Sequence, residues 1–152
     1  MLNTIGYEGA SLGDFIRTLE LAGVSTLVDI RERAQSRRKG FSKSQLSEQL
    51  AEAGINYVHY RELGDPKEGR DAARRGDWRR FRRVFDRVIK SEEAIQALED
   101  LTDLAKRESI CLMCYERDFK TCHRAIVSEI ISSKLKRKVR HLGVNPIERK
   151  AA

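Results

Sequence analysis

Between positions 112 and 124 the sequence LMCYERDFKTCHR sets Cys114, Glu116, Cys122, His123 and Arg124 directly behind an apolar run. Thiols and imidazoles do nucleophilic and proton-transfer chemistry, carboxylates do acid–base work, and guanidinium groups grip anions. Cys122 stands where a helix is expected to begin, beside an imidazole and near a guanidinium, and each of these features favours a thiolate. Two readings follow: a reactive thiol, or a small residue packed into a first helical turn. The cysteine-to-arginine spacing of a phosphate-cradling loop is absent, which weakens phosphatase and sulfurtransferase readings. No metal site is expected, because Cys111 and Cys114 share a β-like run, where an offset of three sends side chains to opposite faces.

Two other segments carry groups of the same kind. Gly6, Tyr7 and Glu8 form a strand-to-turn junction in which Glu8 offers a carboxylate. Asp29 closes the apolar run TLV, and a carboxylate there needs a partner, which Arg31 or Arg124 can supply. The stretch DIRERAQSRRKGFS then adds Arg31, Arg33, Ser36, Arg37 and Arg38, whose guanidiniums suit bidentate contact with phosphate or carboxylate. A solvated basic loop is the plainer reading of that stretch.

Positioning such groups takes a scaffold. β-like runs at 3–7, 26–30, 55–60, 110–114 and 139–142 alternate with helical patterns, the signature of an α/β protein with a parallel sheet. The expected fold is one three-layer α/β domain over residues 1–143, a mostly parallel sheet of about five strands flanked by helices, with a short tail at 144–152. Ser11 and Ser42 are expected N-caps, Ser42 with Gln45 at capping-box spacing and Phe41 with Leu46 at staple spacing. Helical periodicity from Asp77 to about Lys106 places Trp78, Phe81 and Phe85 on one buried face, with Ser91 opening a second helix. His59 and His141 fall in strands and read as structural. Residues 63–77 mix Gly, Pro and charge without periodicity and read as a long exposed loop. In such sheets ligands bind outside the carboxyl ends of the strands. That rule draws Glu8, Asp29, Arg31, Cys114, Glu116 and the first turn of the last helix to one rim.

The chain has 152 residues, 35 % of them charged, and a net charge of +7, the size and composition of a single globular domain. No apolar run approaches the ~20 residues of a membrane span, and the first residues lack a basic-then-apolar leader. Three cysteines fit no disulfide framework, which agrees with a reducing, cytoplasmic setting. Positive charge is concentrated: residues 31–83 hold 15 Lys/Arg against 8 Asp/Glu, and residues 131–152 hold 7 against 1. An anionic partner, small molecule or nucleic acid, fits that distribution.

Taken in order, TIGYEG, VDIRERAQSRRKGFS, INYVHYRELGDP and CYERDFKTCHR resemble the family called domain of unknown function 488, over nearly the whole chain. The resemblance implies a compact α/β domain and carries over Gly6, Glu8, Asp29, Arg31, Ser36, Arg37, Cys114, Glu116, Cys122, His123 and Arg124; it implies no reaction and no cofactor. From the residues themselves two functions stand: an enzyme on an anionic, phosphate-containing ligand, with Arg31, Arg37 and Arg124 holding the anion, Glu8, Asp29 or Glu116 as acid or base and Cys122 or His123 as nucleophile or proton carrier; or a non-enzymatic nucleic-acid-binding module using the basic segments.

Overall fold

A computed structural model describes residues 1–146. Its strands are β1 (Leu2–Gly6), β2 (Thr26–Asp29), β3 (Asn56–His59), β4 (Ile110–Cys114) and β5 (Val139–Leu142). They form one sheet in the order β3-β2-β4-β1-β5, every pairing parallel. The central strands are buried along their whole length; β2 and β4 accordingly read as near-continuous apolar runs, while β1 buries the polar Asn3 and Thr4.

Helices α1 (Leu12–Leu21) and α2 (Lys43–Glu52) cover one face, where Phe15, Leu19, Leu46 and Leu50 pack with Ile5, Leu27, Cys111 and Met113. The opposite face is covered by α3 (Lys67–Arg74), α4 (Trp78–Ile89), α5 (Glu92–Arg107) and α6 (Arg124–Leu135), with Ala72, Phe85, Leu101 and Val127 against Leu2, Val28, Ile110 and Leu112. The chain crosses the sheet one way from β1 to β3 and the other way from β3 to β5. Its helices change face at the same point, as a uniform crossover hand requires. β4 leaves towards α6 while its neighbours β1 and β2 leave towards α1 and α2. The loops therefore splay apart at the carboxyl end of β4 and open a crevice there.

Capping follows the side chains. Ser11, Asp77 and Ser91 accept the N–H groups of Asp14, Arg80 and Ala94, so the break between α4 and α5 falls where Ser91 places it. The capping box expected at Ser42 does not form: Ser42 Oγ pairs with the backbone of Ser36, and Gln45 Oε1 takes the Gly40 N–H. The staple pair Phe41 and Leu46 is fully buried. Residues 63–77 are not a loop but hold α3, a helix whose buried residues are only Gly69 and Ala72. With so little apolar surface it left no periodicity to read. Trp78 is likewise not core; it is 45 % exposed at the start of α4, edge-on to Phe81, and the buried stripe begins one turn later. Val144, expected in the tail, packs into the face covered by α1 and α2, and residues 147–152 of that tail lie outside the described residues. Among the described residues no helix is long and apolar enough to cross a membrane.

Candidate functional site

At the end of β2 the Asp29 carboxylate is fully buried and fully used. Its Oδ1 accepts the Arg31 backbone N–H at 3.0 Å and the Arg31 Nε–H at 2.9 Å. Its Oδ2 accepts from Arg31 Nη2 at 2.7 Å and from the Tyr57 hydroxyl at 2.5 Å. Arg31 Nη1 donates to the Phe41 carbonyl at 2.8 Å and to the Tyr7 hydroxyl at 3.2 Å. Burial opposes the Arg31 charge, but the Asp29 carboxylate outweighs it and the guanidinium pKa is raised; burial and the same carboxylate push the Tyr57 phenol up. The His59 ring Nε2 donates to the Arg31 carbonyl at 2.7 Å, a structural role as expected.

Arg124, the first residue of α6, is the bulkiest fully buried side chain, and its environment differs. Its Nε donates to Thr4 Oγ1 at 3.2 Å, Nη1 to Cys114 Sγ at 3.3 Å and to the Glu116 carbonyl, and Nη2 to the Arg117 carbonyl at 3.1 Å. Among the described residues no carboxylate forms an ion pair with it, and burial lowers its pKa. The Cys111 thiol and the carboxylates of Glu116 and Asp118 oppose that shift only partly. Gly6 makes this geometry possible: a Cβ there would lie 1.8 Å from the Glu116 carbonyl oxygen and 2.5 Å from Arg124 Nη1. A glycine ends β1 because another backbone and a guanidinium pass over it.

The cysteine spacing led to an expectation of unpaired thiols, and the fold corrects it: Cys114 and Cys122 bring their sulfurs into bonding contact. β4 and the start of α6 converge on that point, Cys114 lying on the α6 face of the sheet and Cys111 on the other, as the strand offset requires. Cys111 is sealed in the core, where burial pushes its thiol pKa up. Beside the sulfur pair, the His123 ring Nε2 donates to the Ile30 carbonyl at 2.8 Å, which leaves the lone pair of Nδ1 facing Cys122 Sγ at 3.5 Å. Burial lowers the His123 pKa to about 4, so the ring is neutral near pH 7. Glu116 joins the cluster: one oxygen of its carboxylate and the two sulfurs lie within 4.8 Å of one another.

These groups border a crevice of about 250 Å³ whose lining includes Tyr7, Arg33, Asp65, Arg74, Glu116 and His123. Asp65 went unmarked in the sequence. It is 6 % exposed, one carboxylate oxygen has no hydrogen-bond partner, and burial, aided by Glu116 and Glu32 against Arg70, pushes its pKa up to about 7. Burial also raises Glu116. Close approaches hold Asp65 in place: Gly64 sits against the backbone of Glu32, and Gly69 leaves room for the Asp65 carboxylate, which a Cβ there would meet at 1.9 Å. The signal was available in the segment LGDP, a carboxylate between glycine and proline at a strand's exit.

Other expected site residues lie on the same edge but outside the crevice wall. Glu8 is exposed and accepts the Arg117 N–H at 3.1 Å, tying the β1 turn to the loop after β4. Ser36 caps its own loop by accepting the Arg38 N–H at 3.0 Å, and Arg37 is exposed on that loop.

Among known families, residues 11–131 match the domain of unknown function DUF488. The chain belongs to that family. No curated protein and no solved structure matches it significantly. The segment of the DUF488 match runs from the N-cap of α1 to the buried turns of α6, so it spans every group of the crevice except Tyr7.

Proposed function

We propose that this chain is an enzyme that takes an anionic, phosphate-containing ligand, such as a nucleotide or nucleic acid, into the crevice at the carboxyl ends of β1, β2 and β4 and performs acid–base chemistry on it. One observation carries the reading: Asp65, a buried carboxyl with an unpartnered oxygen, shares a single cavity wall with the guanidiniums of Arg33 and Arg74. Arg33 and Arg74 hold the anion in place of Arg31 and Arg124, each of which commits four side-chain hydrogen bonds inside the protein. Asp65 and Glu116, both held towards the protonated form, are the acid–base pair, and Asp65 is poised where a proton can be given or taken near neutral pH. Titration of inorganic phosphate and of a nucleoside triphosphate into the wild-type chain should show binding that Arg33→Ala and Arg74→Ala each weaken by about tenfold. Equal affinity in all three proteins removes the anion site from the crevice.

A second reading, a non-enzymatic nucleic-acid-binding module, draws support from Trp78. That exposed ring opens α4 beside Arg74 and Arg75 and on the same helix as Arg79, Arg80, Arg82, Arg83 and Arg87. Aromatic stacking and a basic helix suit a single strand without sequence preference. Four of these arginines are partnered: Arg74 with Asp71, Arg80 and Arg87 with Glu68, and Arg82 with Asp86. This reading requires retention on single-stranded nucleic acid that falls steeply with salt, together with loss of retention in Trp78→Ala.

A further inference from the structure

We propose that Cys114, Glu116 and Cys122 form a binding site for a thiophilic divalent cation of the zinc class, with one coordination position open towards the crevice. The inference rests on the reading of that crevice as the working site and names the ion that would act there.

The donor set comes first. Two sulfurs and a carboxylate oxygen from the end of β4 and the approach to α6 lie within 4.8 Å of one another. Two thiolates with one oxygen or nitrogen donor and a free fourth position is the arrangement of a catalytic zinc site, not a closed structural one. The backbone separation points the same way. The Cα atoms of Cys114 and Cys122 stand 7.3 Å apart, beyond the roughly 4.4–6.8 Å across which disulfides close without backbone movement. With the bond between the sulfurs reduced, the two thiolates can part to hold an ion, which accommodates that span.

Charge and hydrogen bonding supply the second line. Arg124 is 1 % exposed and, among the described residues, has no carboxylate ion pair, and a buried cation requires a countercharge close by. A divalent ion with two thiolates and one carboxylate leaves a single net negative charge, which the guanidinium cancels. Both sulfurs already receive N–H groups: Cys114 Sγ from Arg124 Nη1 at 3.3 Å and Cys122 Sγ from the Arg124 backbone at 3.5 Å. Outer hydrogen bonds of this kind orient thiolate ligands and spread their charge. Once the bond between the sulfurs is reduced by a dithiol or phosphine, binding displaces the two thiol protons. Cys111, on the other face of the sheet, takes no part.

The test is a Co²⁺ titration of the full-length chain after reduction and chelator treatment. The proposal expects one equivalent bound with a sulfur-to-cobalt charge-transfer band, present in Cys111→Ala, absent in Cys114→Ser and Cys122→Ser, and formed at least about tenfold more weakly in Glu116→Gln. A reduced wild-type chain that gives no such band overturns it whether or not the serine variants fold. So does a band that survives in Cys122→Ser, or one that is lost in a folded Cys111→Ala. The cobalt band does not require Arg33 or Arg74. Lost phosphate binding with an intact band, or the reverse, therefore shows which of the two readings has failed.

Discussion

The two halves of the sheet's carboxyl edge place a buried arginine in opposite circumstances. At the end of β2, Arg31 meets a carboxylate and each Asp29 oxygen takes two hydrogen bonds, so the group is neutral, saturated and inert. At the end of β4, Arg124 is as deeply buried but is surrounded by carbonyls, a hydroxyl and a sulfur. Close to it lies the Glu116 carboxyl, which burial has pushed towards the neutral form. A saturated ion pair holds a loop in place, whereas unspent charge and an unpartnered oxygen, that of Asp65, are what a ligand can complete. Burial alone does not separate scaffold from site; the state of the partners does.

Breaking the saturated half should cost most. Asp29→Ala leaves Arg31 charged and buried and frees the Tyr57 hydroxyl, and denaturant unfolding should show a loss of about 3–5 kcal/mol. A loss near zero would mean that the pair is not sealed. In the open half, pH replaces mutation as the lever. Asp65 titrates near the usual ~3.9 when unfolded and at about 7 when folded. Its raised folded pKa makes it a burden once the unfolded chain has released its proton. Stability should therefore fall as pH rises from about 4 to 7 and level off above, by up to about 4 kcal/mol. Asp65→Asn should flatten that decline, and unfolding curves across the range check it. An unchanged slope in the variant would take Asp65 off the wall.

Arg124→Met keeps volume, removes charge and orphans several acceptors without stranding a carboxylate. A loss of about 1–3 kcal/mol is expected, smaller than that of Asp29→Ala. The reverse order would erase the contrast between the halves. The smallest change belongs to Trp78→Ala, within about 0.5 kcal/mol, because the ring starts α4 outside the buried stripe. A larger loss in thermal or chemical unfolding would place Trp78 back among the core residues.

How far the sequence disclosed this follows from where each residue spends its energy. β4 was legible to the residue because a buried parallel strand is a uniform apolar run between breakers, and β5, a half-exposed edge strand, was legible from the β-like run VRHL. Ser91 was legible because a cap is a local event. α3 was hidden, since its buried residues are only Gly69, which lies against the Asp65 carboxylate, and Ala72, which together leave no stripe. The convergence of Cys114, Glu116, Cys122 and Arg124 was visible as types in one segment. The contact between the sulfurs was not, because it depends on how the loop after β4 folds back over Gly6. Asp65 was missed for the same reason: its placement depends on Gly64 lying against Glu32 and Gly69 lying against its carboxylate, and neither glycine resembles a site residue. The locking of Asp29 by Arg31 was anticipated as one of two pairings, and sequence could not choose between them.

The most direct test is a crystal structure grown in inorganic phosphate. The account predicts an anion between Arg33 and Arg74, within hydrogen-bond reach of both and facing Asp65 and Glu116. Phosphate bound along the outer face of α4 with the crevice empty, or a crevice closed by an Asp65–Arg74 ion pair, would contradict it.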